Sequence, residues 1–217
     1  MILVPVKNLA NAKQRLAPVM EQAARTELAQ AMLADVFDAL AAAAIDDVSL
    51  VTSDAFATGL ARELGFDIIR DDLNVSETGA IEMATQVCSE RGIASTLVIP
   101  ADIPLISATE ICAIYHNAPD DGTVLVPSGD KRGTNAVLRR HAQLFPLRFG
   151  NDSFLPHLAA AIATNRTCVV LSLPGIALDI DASDDLQQLA LAPGEKRSQL
   201  LARKLGFHEA PLTVNSY

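Results

Sequence analysis

Residues Val48–Ile69 read VSLVTSDAFATGLARELGFDII: an aliphatic run from Val48 to Thr52, a helical pattern from Ala55 to Leu64, and a second aliphatic run from Phe66 to Ile69. Strand, helix and strand in direct succession are the repeating unit of a mostly parallel sheet. The rhythm continues on both sides of this stretch. Upstream, Ile2 to Val6 precedes a helical pattern from Glu21 to Ala44; downstream come a helix from Glu77 to Glu90 and a strand from Thr96 to Ile99. Runs this continuously apolar predict a sheet covered by helices on both faces. Further strands are predicted at Thr123 to Val126, Asn135 to Leu138 and Cys168 to Leu171, and helices near Ser107 to His116, Ser153 to Thr164 and Ser183 to Leu191.

The rhythm breaks between Pro119 and Phe149, where polar turns such as Ser128-Gly129-Asp130-Lys131-Arg132-Gly133 stand in place of a crossover helix. An antiparallel addition to the sheet edge is predicted there, an edge with which a second subunit of a homodimer could pair. After Ala192, Pro193-Gly194-Glu195 reads as a turn, Lys196 to Leu205 as a basic helix and Pro211 to Tyr217 as a loose tail. The expected organisation is one α/β domain over 1–192, with a C-terminal helix and tail over 193–217 packed on it or trailing from it.

With 217 residues, half of them hydrophobic, the chain can bury one full core. A formal net charge of −9 argues against a nucleic-acid partner, because affinity for a phosphate backbone needs clustered Lys and Arg. The partners expected are small molecules. Cys88, Cys112 and Cys168 are odd in number and widely spaced, and read as reduced core thiols of a cytoplasmic protein. No apolar run approaches the roughly 18 residues that would span a bilayer, and no signal-peptide pattern precedes Ile2-Leu3-Val4-Pro5-Val6.

Leu97-Val98-Ile99-Pro100-Ala101-Asp102-Ile103-Pro104-Leu105 sets an acid just past an apolar strand, at the end where open α/β sheets bind ligands. The Asp102 carboxylate can hold a divalent cation there, or cap the turn that follows. In Gly175-Ile176-Ala177-Leu178-Asp179-Ile180-Asp181, alternation along an extended segment points Asp179 and Asp181 to the same side. Two carboxylates so close repel unless a cation lies between them. The alternative is a solvated acid beside a helix cap, with Asp181 or Ser183 capping the helix from Asp184 onward. Brought together by the sheet, Asp102, Asp179 and Asp181 make an oxygen-only site suited to Mg²⁺.

The segment Pro5-Val6-Lys7-Asn8-Leu9-Ala10-Asn11-Ala12-Lys13-Gln14-Arg15-Leu16-Ala17-Pro18 carries three cations directly after the first strand. Such a loop can wrap a triphosphate, with Lys13 and Arg15 neutralising charge on departing pyrophosphate, or be an ordinary exposed basic loop. It has neither the P-loop nor the dinucleotide glycine pattern. In the irregular region, Gly133-Thr134-Asn135 and Gly150-Asn151-Asp152-Ser153-Phe154-Leu155-Pro156-His157 combine a glycine that admits close backbone approach with a hydroxyl at a helix start. That is an anion site, or a hairpin turn and a plain N-cap. His157 reads as a helix residue rather than a metal ligand or base, and His116, His141 and His208 have no zinc spacing.

Taken together, Lys13-x-Arg15-Leu16, Pro100-Ala101-Asp102-Ile103-Pro104, Gly133-Thr134-Asn135, Gly150-x-x-Ser153-Phe154-x-x-His157 and Asp179-x-Asp181 resemble, in order and spacing, the guanylyltransferases of coenzyme F-420 biosynthesis. The likeness spans roughly residues 2 to 190. It implies a nucleotidyltransferase fold related to the A-type glycosyltransferases, with GTP as co-substrate and Mg²⁺ as cofactor. Two ions would sit on Asp102, Asp179 and Asp181, while Lys13, Thr134, Gly150 and Ser153 hold the phosphate and carboxylate of the acceptor. That acceptor would be 2-phospho-L-lactate, phosphoenolpyruvate or 3-phospho-D-glycerate. One departure is the longer loop Asp71 to Ala80, in which Asn74 either reads guanine through its amide or caps the helix near Glu77. Rival readings are a molybdopterin- or sugar-phosphate-directed nucleotidyltransferase, a metal-dependent glycosyltransferase, and a scaffold that binds nucleotide without turnover. The first is disfavoured because its members open with a Gly-rich loop, and Lys7 to Pro18 has no glycine.

Overall fold

The structure, a computed structural model, describes residues 1–45, 47–72, 76–150 and 152–208. Strands β1 (Ile2–Val6), β2 (Val48–Thr52), β3 (Asp67–Arg70), β4 (Ser95–Val98), β5 (Gly122–Pro127), β6 (Thr134–Arg140) and β7 (Thr167–Val170) form one sheet in the order β3-β2-β1-β4-β6-β5-β7. β6 runs antiparallel to both neighbours, and every other pairing is parallel.

Alternation along each strand divides the core. Ile2 and Val4 of β1, Val124 of β5 and Leu138 of β6 face one layer, made by α1 (Gln22–Ala42), α2 (Ala55–Glu63), α4 (Ala108–His116), α7 (Ser183–Leu191) and α8 (Arg197–Lys204). Leu3, Leu125 and Val137 face the other layer, made by α3 (Glu77–Glu90) and α5 (Phe154–Ala163). Helices therefore cover both faces, as the apolar strands predict. Among the described residues, no helix is long and apolar enough to cross a membrane.

The antiparallel strand is present, but not at the edge. β6 lies between β4 and β5, and β7 adds a further parallel strand outside β5. The β5–β6 hairpin turns back toward the sheet centre, so β6 uses both its hydrogen-bonding sides and the free edges belong to β3 and β7. The 119–149 region thus has no free strand for a homodimer to pair with. The cysteines also need correction: Cys88 is buried in the core, whereas Cys112 sits on the outward face of α4 and Cys168 on the edge strand β7, half-covered.

α8 is held to α1 by a buried carboxylate. Asp35 of α1 accepts from the backbone N–H groups of Arg197 and Ser198 at 3.0 and 2.9 Å, satisfying two donors at the start of α8. Lys196 donates to the carbonyls of Pro104 and Ile106 at 2.6 and 2.7 Å, so the C-terminal helix also braces the loop after β4. The tail from 209 onward lies outside the described residues.

Candidate active site

The carboxyl ends of β1 and β4 open onto the site. After β1 the chain makes two single 3₁₀ turns, Leu9–Asn11 and Gln14–Leu16, whose Leu9 and Leu16 are buried in the core. Asp54, which caps α2 through Ala57 N–H at 3.0 Å, also accepts from Leu9 N–H at 3.0 Å and pins the loop to the body. Between the two anchors Lys13 adopts left-handed backbone angles, φ 54° and ψ 45°, a conformation that costs energy for a non-glycine residue and turns its side chain inward.

Lys13 Nζ donates to Asp102 Oδ2 at 2.8 Å and to Asp181 Oδ1 at 3.2 Å, and Arg15 donates to Asp181 Oδ2 at 3.0 Å. Residues far apart in sequence thus meet as one charged cluster. Burial of the Lys13 ammonium opposes its charge, but the two carboxylates more than offset this and hold its pKa above the ordinary lysine range. Asp179 lies alongside. Burial first, then the nearby Asp102 and Asp181 charges, push its pKa up, while Asn135 Nδ2 donates to it at 3.0 Å and partly restores the ionised form.

Backbone bonds set this geometry. Ile180 N–H donates to Asp102 O at 3.0 Å, Gly129 N–H to Ala177 O at 2.8 Å, and Asn135 Nδ2 to Ile176 O at 2.9 Å. The short helix α6 (Pro174–Ala177), absent from the sequence reading, sits hard against α4. Gly175 N–H donates to Glu110 at 2.7 Å, and a Cβ on Gly175 would lie 2.4 Å from Leu105 O. Only glycine permits that approach. Neither Asp181 nor Ser183 caps α7: Asp185 accepts from the N–H groups of Asp181 and Ala182 at 2.9 and 2.7 Å, which leaves the Asp181 carboxylate to the site.

Two cavities adjoin here. The first, about 430 Å³, is walled by Val6, Leu9, Met32 and Val51, with Lys7 and Lys13 also lining it. The second, about 700 Å³, is lined by Thr134, Asn135, Gly150, Ser153 and Asp179. Arg15, Glu77, Pro100, Asp102 and Asp181 line both. Gly150 has φ +126°, a conformation open to glycine and not to other residues. Ser153 makes no capping bond to its own helix; its Oγ accepts from Thr134 N–H at 3.0 Å instead.

All the predicted site residues that the structure describes line one cavity or both. Asn74 lies outside the described residues, and the cap of α3 is Ser76, which accepts from Gly79 N–H at 3.0 Å. Glu77 was missed. As the first residue of α3 it has the appearance of a helix-start acid, yet it lines both cavities, and burial followed by the Asp102 charge pushes its carboxyl up to about 7. No local signal distinguishes it. As for metal, carboxylate oxygens are the hard donors Mg²⁺ prefers, and the Lys13 ammonium marks where positive charge is wanted. Among the described residues, no three acidic, His or Cys side chains are gathered as a ready ligand set.

Residues 1–215 match the family described as guanylyl transferase CofC like. The chain belongs to this guanylyltransferase family. The guanylyltransferase is 35% identical to a phosphoenolpyruvate guanylyltransferase of Roseiflexus castenholzii, covering 93% of each chain. It is 29% identical to a 2-phospho-L-lactate guanylyltransferase of Methanothermobacter thermautotrophicus, over 96% of this chain and 92% of the relative. Its fold resembles that of a nucleotide-diphospho-sugar transferase from Desulfovibrio desulfuricans, with a TM-score of 0.75 at 18% identity over 94% of this chain and 93% of the other. The guanylyltransferase is therefore an enzyme of nucleotidyl transfer.

Proposed function

We propose that the enzyme joins the GMP of GTP to the phosphate of a phosphorylated three-carbon acid, releasing pyrophosphate, in coenzyme F-420 biosynthesis. The observation that carries this reading is the pair of cavities with a shared wall of Asp102, Asp181, Arg15 and Glu77. Apolar walls beside the basic first loop suit a nucleoside with its phosphates directed at Lys13 and Arg15. The second cavity offers hydroxyl and backbone groups at Thr134, Gly150 and Ser153, which suit a small, doubly anionic acid. Both the phosphoenolpyruvate and the 2-phospho-L-lactate enzymes among the relatives act on acids of this kind.

In this reading, an acceptor phosphate oxygen attacks the α-phosphorus of GTP in line with the departing pyrophosphate. The new P–O bond forms as the α–β bridging P–O bond breaks, and no covalent enzyme intermediate is needed because the nucleophile is already anionic. The protein contributes position and charge neutralisation. Mg²⁺, as one ion or two on Asp102, Asp179 and Asp181, would supply Lewis-acid neutralisation of the triphosphate. Lys13, released from Asp102 and Asp181, then reaches the substrate anions, and Arg15 follows the pyrophosphate. The three free thiols suit a reducing compartment, and the reaction is read as cytoplasmic.

Pyrophosphate release from GTP and Mg²⁺ with phosphoenolpyruvate, 2-phospho-L-lactate and 3-phospho-D-glycerate in turn, beside ATP and CTP, tests the proposal. Release with GTP and one acid is the expected result. Release with none would return the choice to a sugar-directed transferase or a protein that only binds nucleotide.

A further inference from the structure

Thr134 and Ser153 both line the second cavity, and each hydroxyl oxygen is already engaged from the protein side. Ser153 Oγ accepts the Thr134 backbone N–H at 3.0 Å. Thr134 Oγ1 lies 2.9 Å from His157 Nδ1, and either atom could be the donor. The other ring nitrogen decides between them. His157 Nε2 accepts the backbone N–H of Arg148 at 2.8 Å, so it carries no proton, and the neutral ring must hold its proton on Nδ1. Thr134 Oγ1 is then an acceptor toward the histidine, and its own proton is turned away from the ring. Among the described residues, neither the Thr134 nor the Ser153 hydroxyl proton has an acceptor.

His157 itself is 1% exposed and does not line the cavity. The Phe149 ring packs edge-on against it at 5.2 Å. We propose that His157 is a positioning residue: fixed as the Nδ1–H tautomer by the Arg148 N–H, it makes Thr134 a permanent donor toward the anion in the second cavity. For the identity of that anion, the phosphorylated acid, the inference rests on the guanylyl-transfer reading. The opposite tautomer would draw the Thr134 proton inward and present lone pairs to an anion. A hydroxyl held as a donor before the substrate arrives has no reorientation left to make. Burial, and then the buried Arg139 guanidinium, push the His157 pKa down to about 4, which keeps the ring neutral.

The tautomer can be read without any reaction, by ¹⁵N NMR of histidine-labelled protein. Nδ1 should be protonated and Nε2 bare from pH 5.5 to 8; an Nε2–H tautomer, or titration of this ring near its ordinary pKa, would overturn the proposal. Two variants then separate the ring nitrogens. His157→Asn keeps an N–H near the Nδ1 position, and His157→Gln keeps an acceptor near the Nε2 position. His157→Gln should raise the acceptor KM about tenfold, the usual worth of a hydrogen bond to a charged group, and His157→Asn clearly less. KM for GTP should stay unchanged in both, and Thr134→Val should erase the difference between them. Equal effects of the two variants, or a difference that survives in Thr134→Val, would sink the assignment. If the wild type turns over none of the acids, it is the transfer reading that fails, and the NMR result still decides the role of His157.

Discussion

The two halves of the site are held in different ways. On the Asp102 side, charged groups hold each other: Lys13, its side chain 9% exposed, bridges Asp102 and Asp181, and Arg15 adds a second cation, with side chains of Asp102, Asp181 and Arg15 34, 40 and 63% exposed. On the Thr134 side, buried neutral groups hold each other through Ser153, His157 and the Arg148 backbone. The Arg15–Asp181 pair, reached by water, is cheap to open, and the part-exposed Asp102 and Asp181 carboxylates can exchange partners for a substrate's charges, although the Lys13 ammonium between them is buried. A buried hydrogen-bond network is costly to break and keeps one geometry. In the proposed reaction, the half that would handle the triphosphate can thus change partners, and the half that would receive the small acid stays as it is.

The comparison is tested most severely at Asp102. Asp102→Ala removes a carboxylate common to both cavities and should lower kcat/KM for pyrophosphate release by about 10³-fold. The fold should survive, because the bond that Asp102 makes to Ile180 N–H uses its backbone carbonyl. Near-normal turnover with an unchanged melting temperature would show that the exchangeable half is not where the chemistry occurs.

The fixed half should show itself in the pH dependence of stability. The His157 pKa is lowered from 6.5 to about 4 in the folded protein, first by burial and then by Arg139. Below pH 6.5 the unfolded chain takes up a proton there that the folded protein refuses until about pH 4. The stabilisation is therefore complete above 6.5 and is lost as pH falls through that window, up to about 3 kcal/mol, or roughly a hundredfold in the unfolding constant. Urea unfolding of wild type and His157→Gln at pH 7 and 5 reads it as a difference, which sets aside the titration of the other ionisable groups. Parallel pH curves for the two proteins would mean that the ring is not held neutral.

A smaller effect, of opposite sign to ordinary loss-of-function variants, is expected at Lys13. In Lys13→Met the ammonium no longer competes for Asp102 and Asp181, and their mutual repulsion creates a stronger demand for a cation. Mn²⁺ binding in the absence of substrates, followed by electron paramagnetic resonance, should tighten about tenfold, of the order that one lost close charge produces. Unchanged or weaker binding would mean that the Lys13 position is not the one a divalent cation takes.

Much of this arrangement could be read from the chain because it is local. β1, β2, α3 and α7 fall where apolar runs and helical spacing predict them, Asp102 follows shortly after β4 at the end where a parallel sheet opens, and Asp179 and Asp181 lie in the segment between α6 and α7. What could not be read depends on register between distant segments. Lys13 meets Asp102 89 residues on and Asp181 168 residues on, and no spacing rule connects them. The position of β6 beside β4 is a choice of hairpin direction that both strands' apolar patterns would have allowed. Glu77 and His157 look like a helix-start acid and a helix residue, and only the cavity and the Thr134 contact distinguish them.

The smallest effect belongs to Arg132, and its smallness carries information. Its guanidinium pairs with Asp152 at 2.6 Å at the rim of the second cavity, with both side chains about two-thirds exposed. This pair resembles the exchangeable half, yet the contact that orders the rim is the Arg132 carbonyl, which accepts Phe154 N–H at 2.9 Å at the start of α5. Arg132→Ala keeps that carbonyl. It should therefore leave the melting temperature within about 1 °C and the acceptor KM within about twofold at moderate salt, as exposed pairs usually do. A larger rise in KM that fades as salt is added would place the capture of the acid with mobile rim charge, and the division between an exchangeable half and a fixed half would have to be redrawn around Arg132.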